Sequence, residues 1–124
     1  MAHSTCACAT LPSSRWCPRA DELFGVEGVH VLDVTTRDDG TIVLEVESDA
    51  DLAGCPDCGV VAIGHGRRVQ VLHDAPCFGR PVRVRWRKRI WRCPEPACLR
   101  STWTEDHPYA SARAKLTTRA VDWA

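Results

Sequence analysis

The sequence predicts an α+β fold: a small antiparallel β domain held by a four-cysteine staple, followed by the start of a C-terminal helix. Three observations carry that expectation. Two apolar-alternating runs flank Asp39-Gly40, a further alternating run over residues 80–93 is crowded with arginine, and two cysteine pairs, C-x2-C and C-x4-C, bracket the strands between them. A length of 124 residues suits one domain with a modest core. A staple helps such a domain, because small folds bury a smaller share of their surface.

Taken in order, residues 1–19 mix Ser, Pro and Cys without periodicity and read as a disordered tail. A short helical turn covers "RADELFG" and closes at Gly25. "VHVLDVT", "RDDG" and "TIVLEVES" then form a hairpin around the Asp-Gly, with Val29, Val31 and Asp33 on one face and His30, Leu32 and Val34 on the other. "RRVQVLHDAP" and "RPVRVRWRKRIWRC" are two further strands separated by the turn-like "CFG". A last helix begins near "LTTRAVDWA", with Thr117 or Thr118 as N-cap, and the sequence stops inside it, an ending read as truncation. No repeat of twenty or more residues runs along the chain.

Composition narrows the function classes. The formal net charge is zero, but residues 21–51 hold ten acids against Arg37 alone, while residues 52–124 hold thirteen bases against six acids. A basic C-terminal portion suits a polyanionic partner. No segment nears the ~18 apolar residues that span a bilayer, and the N-terminus lacks the apolar core of a secretory signal, so the reading is cytoplasmic with no membrane partner. In a reducing compartment, closely paired cysteines are more often metal ligands or redox groups than disulfides.

Cys55 and Cys58 in "CPDCG" are followed, after thirty-four intervening residues, by Cys93 and Cys98 in "CPEPAC". Four thiolates make a closed tetrahedral set for Zn2+, and Pro56, Gly59, Pro94 and Pro96 supply the tight bends that metal knuckles need. A thioredoxin-like redox pair would need a helix N-terminus beside the thiols, where "GVVAI" stands instead. A deaminase-type zinc would need an H-x-E upstream, and neither His30 nor His65 sits in one. His3, Cys6, Cys8 and Cys17 could chelate a second metal, though a C-x-C in a tail is more often incidental. Cys77 reads as a buried small apolar residue. His65 and His73 read as loop or strand-end histidines.

Between Arg80 and Arg92 lie seven bases and no acid. Period-two alternation puts Val82, Val84, Trp86 and Ile90 on one face and Arg83, Arg85, Arg87, Arg89 and Trp91 on the other. Arg83, Arg85, Arg87, Lys88 and Arg89 are the candidate nucleic-acid contacts, since arginine forks match phosphate oxygens. Two readings of this ladder stand side by side: phosphate binding, or cross-strand pairing with the acidic hairpin.

"CPDCG", "HGRR", "LHD", "GRPV", "RWRKRIWRCPEPAC" and "WTE", in that order, resemble the N-terminal region of ISL-type insertion-sequence transposases, which carry a zinc finger, a helix-turn-helix and a DDE catalytic domain. The resemblance spans roughly residues 21–124. It implies that Cys55, Cys58, Cys93 and Cys98 are zinc ligands, that "LTTRAVDWA" opens the helix-turn-helix, and that the partner is double-stranded DNA at transposon ends, with other transposase subunits as further partners. Family catalysis depends on three carboxylates of a downstream domain that is missing here, so no catalytic residue is expected. The chain reads as a truncated DNA-binding module with a tail at 1–19, a zinc-binding β domain at 20–108 and a truncated helix-turn-helix at 109–124. A structural or protein-interaction zinc module and a CxxC thiol-disulfide oxidoreductase are the alternatives.

Overall fold

The computed structural model describes residues 16–49 and 52–123. Its elements are α1 (Pro18–Phe24), β1 (Val29–Thr36), β2 (Ile42–Ser48), β3 (Ile63–Cys77), β4 (Arg80–Arg92), β5 (Thr102–Thr104) and α2 (Thr118–Trp123). Most of the expected tail, with His3, Cys6 and Cys8, lies outside the described residues. Its last residues belong to the fold. Cys17 is the N-cap of α1, its Sγ accepting from Ala20 N at 3.4 Å, and Pro18 follows where a missing N–H costs nothing. Cys17 is also buried.

α1 ends where expected. Gly25 takes a left-handed φ of +69°, and its N–H donates to Asp21 O at 2.8 Å, closing the last turn. Asp21 also ties α1 to the sheet, accepting from Val31 N at 2.5 Å and lying 2.8 Å from His30 Nδ1.

β1 and β2 form the expected antiparallel hairpin, closed by Arg37 N to Thr41 O at 2.9 Å and by Asp39 Oδ1 accepting from Thr41 N at 2.9 Å. The simple alternation along β1 does not hold. Val31 pairs with Val46 and Asp33 with Glu45, so Leu32 is an extra residue, a β-bulge that exchanges the faces beyond it. Val34, opposite Leu44, therefore joins Val29 and Val31 at the core, and Asp33 turns away.

The strand order is β1-β2-β4-β3, with β5 on the far end of β4. Hairpin neighbours are antiparallel, as the turns dictate, but β2 and β4 run parallel from Ile42↔Val82 to Val46↔Trp86. The sheet is thus mixed. One face carries Val29, Val31, Val46, Leu72, Val82, Val84 and Trp86, covered by Phe24 of α1 and by Tyr109 and Ala110. Trp86 is wholly buried, and the Tyr109 ring meets its edge at 5.8 Å. Each such aliphatic side chain contributes roughly 1.5–3 kcal/mol through burial. Tyr109 and Ala110, just past the expected 108/109 boundary, are part of this core.

α2 begins at the expected threonines. Thr117 is its cap, with Oγ1 accepting from Ala120 N at 3.1 Å, and is completely buried. The helix is seated by Asp74 near the end of β3, whose carboxylate accepts from Thr117 Oγ1 (2.8 Å), Tyr109 OH (2.6 Å), and Arg119 Nε and Nη2 (2.8 and 2.7 Å). Among the described residues no helix is long and apolar enough to cross a membrane.

Candidate metal centre and basic sheet face

The two cysteine pairs sit at one end of the sheet, where β2 leaves, β3 enters and β4 ends. The first knuckle is a tight loop: Cys55 N donates to Val60 O at 2.8 Å, Gly59 N donates to Cys55 O at 2.9 Å, and Gly54 bridges Val61. Gly59 is the one position in it that needs a positive φ, +79°. The second knuckle follows β4 directly, with Cys93 N donating to Ser101 O at 2.9 Å and Cys98 N to Glu95 O at 3.1 Å. Arg100 Nε lies 3.2 Å from Asp57 Oδ2 and links the knuckles across the site.

All four sulfurs lie within 4.8 Å of one another, with Cys55 Sγ 3.7 Å from Cys98 Sγ and Cys58 Sγ 3.6 Å from Cys93 Sγ. A tetrahedron with Zn–S bonds of about 2.3 Å has edges of about 3.8 Å, which these two separations match, so the set is suited to Zn2+. The thiols are electrostatically uneven. Burial opposes ionisation of Cys55, but the N–H groups of Cys58 and Asp57 aimed at its sulfur bring it down to about 7. Cys93 is lowered by the Glu95 N–H, yet burial and the neighbouring thiols outweigh this and push it up to about 12. In a metal-free site one thiolate would thus hold its neighbours protonated, whereas a dication makes all four ligands anionic.

Among the described residues these four cysteines are the one group placed to hold a metal ion, and no histidine joins them. His73 is exposed on β3 opposite Arg83, and His65 is exposed near the start of β3. Cys77 is half-buried against the core rather than fully buried.

The candidate nucleic-acid residues divide. Arg83, Arg85, Arg87 and Arg89 lie on the sheet face opposite the core, beside β3 partners His73, Val71, Val69 and Arg67. Val69 and Val71 are exposed there, so this part of the face is open. Lys88 is a correction to the ladder. It shares the Trp86 face, is 3% exposed, and holds Nζ 4.3 Å from the Trp86 ring centroid. Burial lowers its pKa, countered by Asp106 and Glu105. Strict alternation assigns Trp91 to the arginine face, but it is buried, paired with Trp103 of β5.

The acidic hairpin reaches this face in part. Glu45 Oε1 is 3.8 Å from Arg87 Nε, and Glu47 Oε1 is 3.6 Å from Arg67 Nη1, while Arg83 and Arg85 have no carboxylate partner among the described residues. The Asp74 cluster is not foreseen from sequence, because an acid near a strand end resembles a turn residue. The signal that could reveal it is Asp74 inside the otherwise apolar set of Leu72, Val82 and Val84.

Residues 51–98 match the family described as the zinc-finger of transposase IS204/IS1001/IS1096/IS1165. That stretch holds all four clustered cysteines, and its similarity to an ISL3-type transposase zinc-finger, together with the convergence of the four sulfurs, supports Zn2+ binding. The match is to a zinc-ribbon domain and not to a catalytic one. No curated protein and no solved structure matches the chain.

Proposed function

We propose that this chain is the DNA-binding zinc-finger module of a transposase, acting in transposition and DNA recombination without catalysing strand transfer itself. Cys55, Cys58, Cys93 and Cys98 hold one Zn2+. Arg83, Arg85, Arg87 and Arg89 contact phosphates of duplex DNA at the element's ends. α2 opens the helical part of the module on the core side of the sheet, and other transposase subunits are further partners.

One observation carries this reading: four arginines from a single strand share the open face of the sheet, while the opposite face packs the core. Phosphate contacts of this kind position a protein and carry little sequence information. The isolated chain is therefore expected to bind duplexes with a Kd of about 10⁻⁴ to 10⁻⁶ M at physiological salt.

A structural or protein-interaction module is the second reading, favoured by the Glu45–Arg87 and Glu47–Arg67 pairs. Duplex affinity measured against salt concentration separates the two. Neutralising Arg83, Arg85 and Arg87 to Gln should lower the slope of log K against log salt by about 2.7, at ~0.9 for each phosphate the variant no longer neutralises. Identical slopes in wild type and variant would take these arginines out of the duplex interface and leave the structural module as the reading. The oxidoreductase reading is not favoured, because four sulfurs converge on one point instead of one CxxC pair facing a helix N-terminus.

A further inference from the structure

The β3–β4 turn holds a residue that the fold does not explain. Its two central residues, Phe78 and Gly79, both have positive φ, +53° and +72°, the conformation of a two-residue type I′ hairpin turn. Gly79 adopts it freely. Phe78 does not: a bulky side chain in the left-handed region is strained, and Asn is the residue that relieves it. Packing does not compensate the strain, since Phe78 is 83% exposed.

The surroundings point to a ligand. β2 pairs with β4 only from Val82 onward, so the last rung, Cys77↔Arg80, projects beyond the sheet as a two-stranded ribbon. Pro76, Gly79, Arg80 and Pro81 around Phe78 are all exposed. A bulge between Asp74 and Cys77 bends the tip relative to the rest of β3. Arg83, Arg85, Arg87 and Arg89 follow along the same strand, with the cysteine cluster at its other end. The tip is thus an exposed aromatic beside a cation, at the end of an arginine track.

Resting on the DNA-binding reading above, we propose that Phe78 is a wedge, inserted between base steps of duplex DNA while Arg80 and the β4 arginines hold the flanking phosphates. Apolar side chains carried on β-ribbons into a groove unstack bases in this way, and aromatic stacking is indifferent to base identity. The wedge anchors the ribbon tip, and the arginines set the salt dependence.

The test uses the full chain loaded with zinc and a duplex carrying 2-aminopurine at successive positions. Wild-type protein should raise the 2-aminopurine fluorescence at one step. Phe78→Asn and Phe78→Gly should abolish that rise and weaken binding about tenfold, with unchanged zinc content and salt slope and an equal or higher Tm. Phe78→Trp should retain both binding and fluorescence. Binding and fluorescence equal to wild type in Phe78→Asn would overturn the wedge and leave the arginine reading standing. A loss of self-association with DNA binding intact would assign Phe78 to a protein contact and also overturn it. Loss of zinc or of folding in both the Asn and Gly variants would make Phe78 a fold residue, against the proposal. A wild-type protein that binds no duplex would overturn the wedge and the DNA-binding reading together.

Discussion

Arg119 Nη2 lies 2.7 Å from Asp74 Oδ2, joining the first turn of α2 to the end of β3. The same guanidinium donates to Phe24 O and stacks 4.8 Å from the Phe24 ring centroid, so it binds α1, the sheet and α2 at once. Burial alone would raise the Asp74 carboxyl, but Arg119, with Tyr109, Ala75 N–H and Thr117, holds it below the usual carboxylate value.

The pH dependence follows from that lowering. A carboxylate with a depressed folded pKa contributes stability that is fully present above its unfolded value, about 3.9, and is lost as pH falls through the lower folded value. Thermal melts of the wild type should therefore fall in Tm below about pH 4, and Asp74→Asn should flatten that acid limb. At neutral pH, Asp74→Asn should cost on the order of 3 kcal/mol, because Arg119 loses its counter-charge. Tyr109→Phe, which removes one hydrogen bond, should cost about 1 kcal/mol.

Metal removal should unfold more than the knuckles. Cys58→Ser or Cys93→Ser should lose the zinc and the cooperative unfolding of residues 52–123, because site formation and folding are one process. Elemental analysis should give one zinc per wild-type chain and none in either variant. Chelator should lower the wild-type Tm and leave the variants unaffected.

Lys88 gives an internal control for the arginine track. Its Nζ lies over Trp86 on the core face, so Lys88→Met should leave the salt slope of duplex binding unchanged. Stability should change by no more than about 1 kcal/mol, since an apolar chain in the same space offsets the missing cation–π attraction. A slope reduced as much as by one exposed arginine would place Lys88 in the interface.

Trp16 should matter although it stands in the segment expected to be tail. Its Nε1 donates to Glu47 Oε2 at 2.8 Å, and its ring stacks on His30 at 3.6 Å. Trp16→Ala should cost about 2 kcal/mol by leaving the 2%-exposed Glu47 short of a donor. Deleting residues 1–15 should leave zinc content unchanged. Chemical denaturation of both proteins checks the pair of outcomes.

Local signals in the sequence are sufficient for local structure. Asp39-Gly40 marks the β1–β2 turn, Gly25 the end of α1, Thr117 the cap of α2, and the cysteine spacing the metal set. What local signals do not carry is which strands become neighbours. The β2–β4 pairing joins segments with a whole strand between them, and no turn chemistry encodes it. The bulge at Leu32 is hidden for a different reason: an inserted apolar residue preserves the look of alternation while reversing it. Lys88 resembles a surface residue because its charge outweighs its position, whereas the Trp86 ring and a long aliphatic stem let a lysine lie inside.

The parallel β2–β4 pairing gives the zinc a task beyond adding stability. Were β3 to fold back on β2, consecutive strands would form a plain meander, the commoner arrangement. Instead the segment after Ser48 crosses over the end of β4 before β3 begins, and Cys55 and Cys58 lie on that crossing while Cys93 and Cys98 follow β4. Binding the two together fastens the crossing to the strand it passes over. The ion thereby ties together two stretches that no turn joins, and without it the order in which β2, β4 and β3 lie side by side loses a fastening at this end of the sheet.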